Sequence, residues 1–213
     1  MVAQQNSEVV RWLSTLSSGS QGNGAEARPA EAGVDPELEA FLAGRTPFAR
    51  ETATWGDLDL VIRYFQATEP PPEHLVTSVR AVIFSHGRVL TVREPDGTEH
   101  IVPGGRRVTG ESFEETVRRE VLEETRWTVG DLSLLSVVHF EITSPVPEGY
   151  PYPHPDFLQL IYITDASEYH PNREIDDDWV AGCALDSIDA LLARNLSEPQ
   201  RRLLLHAVRY HGG

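Results

Sequence analysis

Three glutamates, Glu120, Glu123 and Glu124, fall at i, i+3 and i+4 in a stretch that also carries Glu111, Arg119 and the pair Gly104-Gly105. On a helix those three spacings place carboxylates side by side. Each like-charge pair costs roughly 0.2–0.5 kcal/mol in an isolated helix, and no lysine or arginine stands between them in the chain. Glu114 and Glu115 differ, because each is followed four residues later by an arginine, Arg118 and Arg119, the favourable order for surface pairs. Crowded oxygen donors without a cation of their own suit a hard divalent ion, above all Mg2+, which keeps several waters and shares its shell with substrate phosphates. Glu120 and Glu124, i and i+4 on one face, are the first choices as ligands, and Glu123 is a third ligand or a base. Three arbitrary glutamates would more often be a solvated helix face; the residues around these three overturn that reading.

Those residues must be positioned by a helix and the loop before it. Ser112 with Glu115 three residues on forms a capping box, which predicts a helix from there to about Thr125. Phe113, Val117 and Val121 form its apolar stripe, with the three glutamates in the adjoining arc. Gly104-Gly105 can let phosphate or metal approach the backbone, since no side chain intervenes. Arg106 and Arg107 could steer phosphate, although exposed arginines are more often solvated.

The stretch resembles the Nudix box, the signature of the Nudix hydrolases: a glycine, five residues, a glutamate, seven residues, then Arg-Glu, an aliphatic residue, any residue and Glu-Glu. Here these are Gly105, Glu111, Arg119, Glu120, Val121, Leu122, Glu123 and Glu124. One position departs, since Arg126 stands where a glycine is expected two residues after Glu124. Glycine at a helix end commonly takes a left-handed conformation, so arginine predicts a different exit or a strain of about 1 kcal/mol. The resemblance implies an α/β/α sandwich around a mixed β-sheet, with Mg2+ or Mn2+ bound by Glu120, Glu123 and Glu124. It further implies that Arg119 orients one of these glutamates, that Glu111 holds the loop or an outer water, and that the reaction hydrolyses a diphosphate. The substrate expected is a nucleoside diphosphate linked to another group, or a related small phosphorylated compound. The alternative is a binding module that keeps the fold and senses a nucleotide without turnover; an intact ligand set favours the enzyme.

The chain of 213 residues suits one domain with an appendage. We divide it into residues 1–34, a helix and linker; 35–75, a helix and strand packing on the core; and 76–213, the hydrolase domain. The single cysteine, Cys183, excludes an intrachain disulfide and a multi-cysteine zinc site, and reads as a bystander thiol in a reducing cytosol. A net charge of −15 argues against duplex nucleic acid as a partner. No apolar run approaches the roughly 20 residues that span a bilayer, and the N-terminus has no basic-then-apolar signal pattern, so a cytoplasmic location is expected. A short helix is predicted over 7–17 and another from Asp35 through Leu42, with Pro36 at its first position and Gly44 closing it. These helices could pack on the domain, join a homodimer interface or recruit a partner.

Strands are predicted from Leu58 to Tyr64, Val76 to Phe84, Arg88 to Arg93, Glu99 to Val102, Leu132 to Ile142, Phe157 to Ile163 and Trp179 to Leu185. Helices follow from Asp186 through Leu192 and after the cap Ser197-Glu198-Pro199-Gln200. Glu141, Asp156, Asp165 and Glu174 are carboxylates outside the box that could assist, each more simply a surface acid. Asp176-Asp177-Asp178 reads as a solvated turn. Pro145 to Phe157 carries Tyr150, Tyr152 and His154 between prolines, rings that could stack on a base or pack as a rigid connector.

Overall fold

Alternating apolar residues generate the sheet, and two unlike layers of helix cover it. The computed structural model describes residues 35–175, 180–194 and 196–212; the predicted helix over 7–17, the linker after it, the three-aspartate turn and Trp179 lie outside them. A first hairpin joins β1 (Ala49–Trp55) to β2 (Leu58–Gln66). Leu58, Leu60, Ile62 and Tyr64 are buried as their period of two requires. β1 was not anticipated, because its sequence ARETATW gives one polar or small residue after another. Its register against β2 sets Glu51 on the Tyr64 hydroxyl, which donates at 2.7 Å.

Next come β3 (Val76–Ser85), β4 (Arg88–Arg93), the short β5 (Glu99–His100) and β6 (Gly104–Arg106), then β7 (Trp127–Val129), β8 (Ser133–Ile142), β9 (Asp156–Tyr169) and β10 (Gly182–Ser187). The sheet order is β1-β2-β8-β9-β3-β4-β10, with β5 on β4, β6 on β3 and β7 on β9. β3 and β9 run parallel at its centre and the other pairs are antiparallel, so the sheet is mixed as expected.

One face packs on α1 (Pro36–Leu42), through Leu38, and on α2 (Phe113–Thr125), whose Val117 and Val121 meet Val79, Ala81, Ile83, Leu158 and Leu160. The other face packs on α3 (Ile188–Ala193), through Leu191, and on α4 (Glu198–His211), through Leu203, Leu204 and Ala207. The arrangement is an α/β/α sandwich. Asp35 caps α1, its carboxylate accepting from Glu37 N at 2.9 Å and Leu38 N at 3.1 Å. Among the described residues no helix is long and apolar enough to cross a membrane.

α2 ends on Arg126, which adopts the left-handed conformation at φ 64° and ψ 12°. The glycine exit is thus kept and the strain accepted. Relief of about 1–2 kcal/mol of left-handed strain, set against a glycine's greater unfolded-state freedom of about 0.5–1 kcal/mol, predicts that Arg126→Gly stabilises the fold slightly. A thermal melt is expected to rise by about 2 °C; a fall would mean that the arginine side chain contributes more than its backbone costs.

Candidate active site

The capping box of α2 forms as the sequence requires: Ser112 Oγ accepts from Glu115 N at 3.2 Å, and the Glu115 carboxylate accepts from Ser112 N at 2.8 Å. This fixes the start of the helix, and with it the positions of Arg119, Glu120, Glu123 and Glu124. On the facing side, β6 pairs with β3 and lays Gly104 and Gly105 across the last turns of α2. Glu124 is wholly buried and accepts a hydrogen bond from Gly104 N at 2.8 Å. Glu120 lies against Gly105, where a built Cβ would come 2.6 Å from its carboxyl carbon. Only glycine there leaves room for the carboxylate. Gly104 has φ 133°, and its Cβ would lie 2.6 Å from Arg80 Cα, so this glycine is required by backbone rather than by a side chain.

Arg119 ties the cluster together. Its Nε donates to Glu111 Oε1 at 2.7 Å and its Nη2 to Glu111 Oε2 at 3.0 Å, a bidentate pair. Its Nη1 donates to Glu120 Oε1 at 2.8 Å and to Glu123 Oε2 at 3.0 Å, and Nη2 also reaches the Arg106 carbonyl at 3.1 Å. Two expectations are corrected by this. Glu120 and Glu123 do share a cation, because the long arginine stem reaches both its neighbour in sequence and the residue four further on. The pairs foreseen for Glu114 and Glu115 do not form: Arg118 donates to the Val129 carbonyl at 2.6 Å, Arg119 turns to Glu111, and Glu115 is used by the cap.

Glu111 holds the loop, accepting also from Val108 N at 3.3 Å and Thr116 Oγ1 at 3.1 Å. The Arg119 guanidinium beside it holds its carboxyl down at about 2. A lowered folded-state value means that the pair contributes stability fully above about pH 4.5 and loses it as the pH falls toward 2. Urea midpoints of the wild type and Glu111→Gln are therefore expected to differ by a constant amount near neutrality and to converge below pH 4.5; a gap that widens on acidification would sink the assignment. Burial pushes the Glu120 carboxyl the other way, above the usual range, against the pull of Arg119.

Behind Gly104 stands a residue that the sequence reading missed. Arg80 is buried in the middle of β3, donating from Nε to Gln159 Oε1 at 3.1 Å and from Nη1 to the Val102 carbonyl at 3.2 Å. Burial lowers its pKa, and the charges of Glu124, Glu120 and Glu94 oppose that. The available signal was an arginine inside the otherwise uncharged strand run VTSVRAVIF. The carboxylates considered outside the box are engaged elsewhere: Glu141 with Arg63 at 2.7 Å, Asp156 with His139 at 2.6 Å and Asp165 with His211 at 2.9 Å. Glu174 is exposed. Burial raises the Cys183 thiol, and its sulfur donates to the Thr125 carbonyl at 3.4 Å, in keeping with a bystander.

Oxygen donors set against the glycine pair of β6 fit a hard divalent cation, since a partly buried carboxylate raised by desolvation gains most from added positive charge. Among the described residues no three His, Cys, Asp or Glu side chains are already arranged to hold a metal ion. Arg119 instead supplies the positive charge to Glu120 and Glu123.

A family profile described as NUDIX domain matches residues 74–207, more than half of the chain. No curated protein sequence matches. Among solved structures, the chain is similar to a NUDIX hydrolase from Nitrosomonas europaea at 27% identity, covering 66% of this chain and 90% of that one, with a TM-score of 0.48. It is also similar to the Bacillus subtilis pyrophosphohydrolase BsRppH at 18% identity, covering 78% and 98%, with a TM-score of 0.56. The second likeness supports the fold.

Proposed function

The chain belongs to the Nudix family of hydrolases, and on that premise we propose that it uses a divalent cation, Mg2+ or Mn2+, to cleave the diphosphate of a nucleoside diphosphate joined to a second group or of a related small phosphorylated compound. The observation that carries this reading is the meeting of Glu120 and Glu124 with the Gly104-Gly105 pair of β6 while Arg119 grips Glu111, Glu120 and Glu123. Glu120 and Glu124 are the proposed ligands, with Glu123 a third ligand or the base that takes a proton from water. When bound, the cation neutralises charge gathering on the bridging oxygen and acidifies water. The missing side chains are used by the protein itself, since Gly105 leaves room for the Glu120 carboxylate and Gly104 for the backbone of Val79 and Arg80. Arg119 holds the Glu120 and Glu123 carboxylates in place and, through Glu111, fastens the loop to the helix. Its rigid fork of donors lets it hold Glu111 bidentately while it also reaches Glu120 and Glu123, a geometry that the point charge of a lysine does not reproduce.

The net charge of −15 supports a small-molecule substrate over duplex nucleic acid. A cytoplasmic location and a homodimer belong to the same proposal.

Phosphate-product release from nucleotide sugars, ADP-ribose, dinucleotides, nucleoside triphosphates and oxidised nucleotides, with Mg2+ or Mn2+ and with chelator, tests it. Turnover that chelator abolishes is expected. Tight binding of one compound with no turnover of any would replace the enzyme by a nucleotide sensor.

A further inference from the structure

The stretch from Pro145 to Phe157 meets the candidate site through one arginine. Arg106 follows Gly105 in β6, its carbonyl accepts from Arg119, and its guanidinium carbon stands 3.9 Å above the centre of the Tyr152 ring. Tyr152 meets Tyr150 edge-on, with centroids 5.5 Å apart at 78°, and Tyr150 meets His154 likewise at 5.7 Å and 76°. Tyr150 is the anchor of this corner: it is buried, and its hydroxyl is pushed up to about 12 by that burial. Tyr152 is partly buried and His154 exposed, so the corner runs from the core outward.

We propose that these rings and Arg106 form one recognition wall for a nucleoside diphosphate, in which Tyr152 and His154 take the aromatic base and Arg106 bears on the diphosphate. This rests on the hydrolase reading only for the place of the diphosphate. A guanidinium is planar with its N–H donors in the plane, so it can lie on Tyr152 and still address phosphate oxygens edge-on. Every nucleobase has a face to stack, which makes rings a sequence-tolerant way to hold one. Prolines at 145, 147, 151, 153 and 155 restrict the backbone that carries the rings. Less freedom is then lost on binding. Arg106 acts at the end of β6 beside the glycine pair and the rings act beyond it, so one wall spans the reacting diphosphate and the group that identifies it.

Calorimetry with hydrolysis-resistant ligands tests the wall without turnover. The α,β-methylene analogues of ADP, GDP, UDP and CDP are compared with methylenediphosphonate, all in Mg2+. The best nucleoside analogue is expected to bind wild type about tenfold or more tightly than methylenediphosphonate. Tyr152→Leu brings that ratio toward one, Tyr152→Phe keeps it, and Arg106→Gln weakens every ligand in parallel. If Tyr152→Leu loses its fold by circular dichroism, His154→Ala at the exposed ring serves instead and lowers the ratio severalfold. A wild-type ratio near one, or a ratio untouched by the ring substitutions in folded protein, overturns the proposal. A protein that discriminates bases yet hydrolyses nothing sinks the hydrolase reading and leaves the wall standing.

Discussion

Glu124→Gln is expected to lower kcat/KM by about 10²–10³-fold while leaving the fold intact, the scale on which removing one preorganised electrostatic group slows an enzyme. The substitution separates charge from shape. Glutamine keeps the length of the side chain, and its carbonyl oxygen can still accept from Gly104 N, the contact that Glu124 makes at 2.8 Å. What it loses is the negative charge that a divalent cation requires and that helps to hold Arg80 charged. Turnover and thermal unfolding measured on the same preparation decide the matter. Near-native activity in Glu124→Gln would remove this residue from the ligand set, whatever the fate of Glu120.

The two neighbouring glycines are expected to fail in opposite ways. A Cβ at Gly105 meets the far end of a flexible side chain, the Glu120 carboxyl group, which can swing aside. Gly105→Ala should therefore cost under about 1 kcal/mol of stability. Its activity should nonetheless fall by about 10²-fold, because the displaced group is a proposed ligand. A Cβ at Gly104 meets the backbone of Val79 and Arg80, which cannot yield cheaply, at a φ that side chains rarely adopt. Overpacking and backbone strain together put the cost of Gly104→Ala at about 3 kcal/mol or more. Urea unfolding with kinetics on both variants would show the contrast, and equal effects on stability would refute it.

How much of this was legible in the sequence depended on how local the signal was. α2 could be read almost to its ends, since its cap, stripe and last turn are all encoded within the segment. β4 matched residue for residue, bounded by turns on both sides. β9 runs on to Tyr169, beyond the predicted Ile163, because its outer part, DASEY, is polar and is held by pairing with β7 rather than by burial. β6 has only three residues, two of them glycine, and exists because β3 offers it an edge. At the site, the glutamates were visible from spacing and the role of Arg119 toward one of them came with the resemblance, but its bidentate pair with Glu111 did not. Its grip on Glu111 depends on how the loop folds back, and no periodicity encodes that. Arg80 was hidden for the converse reason, since a strand pattern says which face a residue is on and nothing about what neutralises it there.

The order of strands in the sheet has a consequence for how the protein comes into being. β3 must find β9 about eighty residues later, as Val79 pairs with Leu160; β2 finds β8 in the same way, as Ile62 pairs with Phe140. Contacts so distant in sequence slow folding, placing such sheets in the millisecond-to-second range. During synthesis β3 and the box helix emerge with the central strand of their sheet still unmade, so their apolar faces wait uncovered. The proposed site is therefore translated before the strand that completes its sheet, and it is assembled only once that strand arrives.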